Sequence, residues 1–206
     1  IGKTSNINTI LDVEPISYKE AVELAFEKIE QNSIVSSWKD SMISSGRLKS
    51  NFHKYINVPK YGCFKDYKER KVVNEKLTIN RIWSIGGTTG WYYGNYLWKI
   101  RGYIDKLFGG IGLRRGRTHV SELDAGDALD FWRVIFSDKK EKKLLLYAEM
   151  KLPGEAWLEF KIEDNLLKQT ATFRPRGLWG RLYWYTVLPF HGFIFRGMIN
   201  KLVEAK

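Results

Sequence analysis

Between residues 128 and 174 short β-forming runs alternate with short polar breaks, and this rhythm limits the possible folds more than any other feature. Strands are expected near 128–137, 142–151, 155–163 and 166–174. The breaks between them are Ser137-Asp-Lys-Lys, Leu152-Pro-Gly and Glu163-Asp-Asn, all residues that favour turns. The third run alternates most cleanly. Ala156, Leu158, Phe160 and Ile162 fall on one face, and Glu155, Trp157, Glu159, Lys161 and Glu163 on the other. Breaks this short join neighbours antiparallel. A further strand is expected from about Cys63 to Val73. The apolar face of such a sheet has to be covered by another layer.

Helical segments flank the strands. Leu77, Ile79, Ile82, Trp83 and Ile85 are too dense for a one-sided stripe, so a largely buried helix is expected, ended by Gly86, Gly87 and Gly90. Tyr93, Leu97, Ile100, Ile104 and Leu107 keep helical spacing within a second helix from Tyr92 to Phe108, stopped by Gly109 and Gly110. After Pro175-Arg-Gly177 the chain reads as helix to about Val203, with a kink or break before Pro189. The stretch LYWYTVLPFHGFIF, from Leu182 to Phe195, is free of charge. Its fourteen residues are too few to span a bilayer, so a buried helix is expected there and a membrane partner is not. The last helix is long enough to cover the sheet. The expected class is α+β: a curved antiparallel sheet with two short helices and a long C-terminal helix enclosing a cavity.

Large rings supply much of the apolar content: eight Trp, eleven Tyr and eleven Phe. In a chain of this size they suit an aromatic-lined cavity as well as a core. The expected wall comprises Trp91, Tyr92, Tyr93, Trp98, Trp132, Tyr147 and Phe173. Three polar residues in aromatic surroundings are candidate acid–base groups: Asp130 beside Phe131-Trp-Arg, Glu149 on the strand face of Tyr147, and His191 in the apolar C-terminal segment.

Other chemistries find little support. The stretch Gly86-Gly-Thr-Thr-Gly90 resembles part of a dinucleotide turn, and Asp105 lies at a tolerable distance for the acidic partner. However, the spacing is GGxxG, the segment before it reads as helix, and bulky Trp91-Tyr-Tyr follows. The turn is therefore expected to reverse the chain and pack rings. Tyr-x-x-x-Lys occurs at Tyr61/Lys65, Tyr67/Lys71 and Tyr147/Lys151, all in expected strand or loop, where the spacing separates the side chains by about 13 Å. His53, His119 and His191 lack metal-ligand spacing, so no metal is expected. The lone Cys63 rules out an intrachain disulfide, the opening residues carry no signal-peptide pattern, and a cytoplasmic location is expected. The net charge of +11 favours anionic partners. The cations are spread out, densest at Arg114, Arg115 and Arg117 with Lys99, Arg101 and Lys106 upstream, and nucleic-acid binding there is the lesser alternative.

The segments GWYYGNYLWKIRGYIDKLFGGIGLRRGR, GDALDFWRV, AEMKLPGEAWLEF, TATFRPRGLWGRLYW and LPFHGFIF resemble a bacterial domain family of unknown function, over roughly Val35 to Met198. That domain commonly follows an NAD(P)-binding Rossmann domain of the NmrA-like, atypical short-chain-dehydrogenase type. The early segment ISYKEAVELAFEKI looks like the last helix of such a domain, with Ser17 and Glu20 placed as a capping box and Val22, Ala25, Phe26 and Ile29 as its apolar stripe. More distantly the family resembles the START and birch-pollen-allergen (SRPBCC, helix-grip) superfamily, whose members enclose a hydrophobic cavity. The resemblance implies a remnant of the preceding domain over 1–32, a connection over 33–62 and a helix-grip domain over 63–206. It implies a hydrophobic small molecule as ligand. No cofactor is expected in this chain; NAD(P) and the Rossmann domain that holds it are expected ahead of it. A polyketide-cyclase-like enzyme on the same fold is the alternative, and the resemblance supplies no catalytic residues.

Overall fold

The computed structural model describes residues 16–30, 56–110, 112 and 122–205. The chain divides into two compact units, Ile1–Ser37 and Trp38–Lys206. The first contributes helix α1 (Tyr18–Glu30). Its capping box forms: the Glu20 N–H donates to Ser17 Oγ at 3.2 Å, and the Ser17 N–H donates back to Glu20 Oε2 at 3.2 Å.

The second unit holds a six-stranded sheet with every neighbouring pair antiparallel. Its strands are β1 (Phe64–Lys71), β2 (Ala128–Leu129), β3 (Trp132–Asp138), β4 (Lys143–Ala148), β5 (Gly154–Glu163) and β6 (Leu166–Pro175), in the order β1-β6-β5-β4-β3-β2. Two helices, α2 (Glu75–Trp83) and α3 (Asn95–Leu107), lie in the chain between the two edge strands β1 and β2. The long helix α4 (Gly177–Val203) follows β6 and packs on β1 and β6. The expected order of elements therefore holds. So does the alternation in β5, where Leu158, Phe160 and Ile162 are buried on the inner face.

Local chemistry sets the helix ends. Asn74 Oδ1 accepts the Leu77 N–H at 3.0 Å and starts α2. Gly86 and Gly90 then exchange backbone hydrogen bonds of 2.7 and 3.2 Å, closing a tight turn. Gly86 has φ +82°, and a Cβ there would lie 2.3 Å from Leu129 Cδ1, so the position admits only glycine. The turn delivers Trp91 into the core. The Trp91 indole donates to Asp130 Oδ2 at 2.8 Å, and its ring stacks on Trp98 with centroids 4.6 Å apart.

The main core lies between the sheet and α4. Met198, Ile199 and Leu202 of α4 are fully buried against a cluster that includes Leu144, Leu146, Leu158 and Phe160. Each such side chain contributes roughly 1.5–3 kcal/mol. Arg81 of α2 fastens the far end of α4 by donating to the Lys201 carbonyl at 3.2 Å and to Glu204 O. A cation is favourable where a helix ends in free carbonyls. A smaller cluster of Ile135, Leu145 and Trp157, with Tyr147 and Val58, occupies the opposite face of the sheet.

Four expectations need correction. The strand expected over 128–137 is broken: Asp130 stands in a turn with φ +51° between β2 and β3. The strand expected over 142–151 ends at Ala148. Helix α4 passes through Pro189 without a break. The proline ring removes one N–H from the ladder, but buried residues on both sides of it, Trp184 before and Phe195, Met198 and Ile199 after, hold the helix on the sheet. Finally, the stretch from Leu182 to Phe195 is not a buried helix. Leu182, Tyr185, Leu188, Phe190 and Phe193 are exposed, because only one side of the helix meets the sheet. Among the described residues, no helix is long and apolar enough to cross a membrane.

Candidate functional site

A cavity of about 290 Å³ lies between the sheet, α3 and the N-terminal half of α4. Its existence follows from side-chain size. Ala156 of β5 and Ala171 of β6 stand on the inner face where neighbouring positions carry Leu158 and Phe173. The two methyl groups leave a depression that the helices bridge. Leu97, Trp98, Arg101 and Ile104, one turn apart in pairs, form the α3 wall. Tyr183, Val187, His191 and Ile194 form the α4 wall with the same spacing. Ile100, Ile104 and Phe190 border the cavity and are also 52, 41 and 56% exposed, so its rim is apolar.

Of the seven expected ring positions, Trp98, Trp132 and Phe173 line this cavity. The other four lie elsewhere. Trp91 is behind the wall, stacked on Trp98 and Phe131. Tyr92 turns its hydroxyl to the Arg81 carbonyl at 3.0 Å. Tyr93 packs on Phe193 at 5.1 Å between centroids. Tyr147 is on the other face of the sheet, edge-on to Trp157. On α4 the sequence pointed to His191 alone, as an acid–base candidate; Tyr183, Val187 and Ile194 were missed, although 183, 187, 191 and 194 recur at helical spacing.

The three candidate acid–base groups are not brought together. Asp130 accepts the Trp91 indole N–H. Glu149 shares the face of Tyr147, as expected, but that face points away from α4. There it forms a bidentate pair with Arg133, both bonds 3.0 Å. Only His191 lines the cavity. Its ring lies edge-on to Trp184 and Phe195, at 5.2 and 4.8 Å. Burial lowers its pKa from 6.5 to about 4. Asp66 pulls it up and Lys68 pushes it down, and both are weaker influences than burial. His191 is therefore neutral at pH 7. Asp66 and Lys68 form a largely buried ion pair on the inward positions of β1. Nothing in the sequence distinguished these two residues from surface charges.

Several polar atoms on the cavity residues are orphaned. The indole N–H groups of Trp98 and Trp132 and the Nδ1 of His191 are buried without a hydrogen-bond partner. Buried polar groups are paired in the great majority of cases; these three are exceptions, each closed off by surrounding protein atoms.

Asp105, weighed above as the acidic partner of a dinucleotide turn, is buried. It accepts the backbone N–H groups of Lys151 and Gly112 at 2.7 and 2.8 Å. The segment before the glycine turn is α2, as expected from its pattern. Arg114, Arg115, Arg117, His53 and His119 lie outside the described residues. Among the described residues no group of three His, Cys, Asp or Glu could hold a metal ion.

A family model described as "Protein of unknown function (DUF2867)" matches residues 62–198. The chain belongs to this family. The match runs from the start of β1 into α4 and so contains the whole cavity wall. No curated protein matches the chain.

Proposed function

We propose that the chain binds a hydrophobic or aromatic small molecule in the cavity between the sheet and α4. The observation that carries this reading is an apolar hollow of about 290 Å³ walled by Trp98, Trp132, Phe173 and Trp184. A concave apolar site with aromatic walls and few polar groups is the usual form of a small-molecule pocket. Burial would supply most of the affinity, at about 25 cal/mol per Å² of apolar surface before ordering costs. We read the fold as START-like, because a long C-terminal helix closes a curved antiparallel sheet. The resemblance of ISYKEAVELAFEKI to a terminal Rossmann helix supports a role as accessory domain in a cytoplasmic, NAD(P)-binding parent, to which the captured molecule would be presented. Asp130 and Glu149 are engaged outside the cavity, so binding is favoured over acid–base catalysis.

Four tryptophans, Trp98, Trp132, Trp157 and Trp184, border the cavity, so intrinsic fluorescence titrated with a panel of flat and linear hydrophobic compounds is the test. At least one compound should quench or shift the emission saturably, and Trp98→Phe should reduce the change. A panel without any saturable response overturns the reading.

A further inference from the structure

The chemistry of the cavity wall restricts the ligand further. Arg101 is the one formally charged side chain among the described residues lining the cavity, and no carboxylate joins it there. The residue is half-buried, and among the described residues its guanidinium makes one long hydrogen bond, 3.4 Å to the Lys151 carbonyl. Among the described residues it has no ion-pair partner. It lies one helical turn from Trp98 on the α3 wall. Apart from this cation the wall is almost wholly apolar. Arginine carries its charge at every physiological pH and offers a planar fork that matches a carboxylate.

Resting on the binding function proposed above, we infer that the ligand is a small amphipathic carboxylic acid, its carboxylate held at the rim by Arg101 and its apolar body lying over Ala156 and Ala171. The carboxylate supplies the counter-charge that no lining residue gives Arg101. The apolar body meets Trp132 and Phe173 on the sheet and Val187 and Ile194 on α4. The volume of about 290 Å³ limits it. At a liquid-like share of roughly 20–30 Å³ per heavy atom, it holds on the order of ten to fifteen heavy atoms. A bicyclic aromatic acid or a medium-chain fatty acid fits that limit, whereas a phospholipid does not.

The experiment is calorimetric titration of the full chain with two matched pairs, 2-naphthoate with 2-naphthamide and decanoate with decanamide. Each amide keeps the shape and the carbonyl but replaces the charged, hydrogen-bond-accepting oxygen with a neutral NH2 donor. At least one acid should bind about tenfold or more tightly than its amide, as a charge-assisted contact would give. Arg101→Gln should bring the two to within about twofold by weakening the acid alone. Arg101→Lys should retain part of the preference, because it keeps the charge and loses the fork. Equal binding of acid and amide by the wild type, or equal weakening of both by Arg101→Gln, overturns the carboxylate inference and leaves the pocket standing. Failure of all four compounds to bind overturns both.

Discussion

Ala171 is 5% exposed, is flanked in the sheet register by Asp66 and Leu158, and faces the hollow beneath α4. Replacing it with leucine tests whether that hollow is real, because a cavity and a filled core predict opposite signs. Leucine adds three carbons. Burying them in open apolar space is worth about 0.8 kcal/mol each, and fixing the longer side chain returns about 0.5–1 kcal/mol. The net expectation is a gain of about 1.5 kcal/mol. In a core already at crystal density the same change forces neighbours off their rotamers and costs about 1–3 kcal/mol. Urea unfolding at pH 7, followed by circular dichroism, separates the two outcomes. The same variant should lose about tenfold or more in affinity for any ligand found by titration, since the new side chain occupies the space the ligand needs. A variant that keeps native secondary structure but is destabilised by 1 kcal/mol or more would refute the open cavity and the functions built on it.

Two further outcomes follow from the same geometry. His191 titrates at about 4 in the fold against 6.5 ordinarily, so its neutral ring contributes fully above pH 6.5 and loses about 3 kcal/mol as the pH falls to 4, because the unfolded chain takes up the proton first. Urea unfolding at pH 7, 5.5 and 4 should show this slope, and His191→Phe should flatten it even though Asp66 and the other carboxylates still titrate; an unchanged slope would mean that burial of the imidazole is not its source. Asp105→Ala strips the acceptor from the Lys151 and Gly112 N–H groups, and a loss of about 2–4 kcal/mol in thermal or urea unfolding is expected, with Asp105→Asn losing less because it keeps a side-chain acceptor.

How far the site could be read in advance differed from element to element. The alternation in β5 placed Leu158 and Phe160 inside, and the turn chemistry at Glu163-Asp-Asn marked the β5–β6 hairpin. The packing role of the glycine turn was legible from the ring that follows it, and Trp91 is indeed delivered to the core. The fates of Asp130 and Glu149 were not legible. Both lie within strand-like runs, and their partners Trp91 and Arg133 stand 39 and 16 residues away in the chain. Asp66 and Lys68 were equally hidden. On an edge strand an alternating charge pattern reads as solvent-facing, and only the passage of α4 over β1 turns them inward.

Local order, then, belonged to the sequence alone. Strand and helix periods, caps and turn residues are short-range properties that act within a few positions, and they settled the succession of helices and longer strands and the antiparallel meander from β3 to β6. The pairing of β1 with β6, the passage of α4 through Pro189 and the place of the hollow were tertiary decisions. Each depends on which faces meet after the chain has closed loops of tens of residues. The cavity exists because Ala156 and Ala171, ordinary small residues in a strand pattern, come to lie diagonally across neighbouring strands beneath α3 and α4.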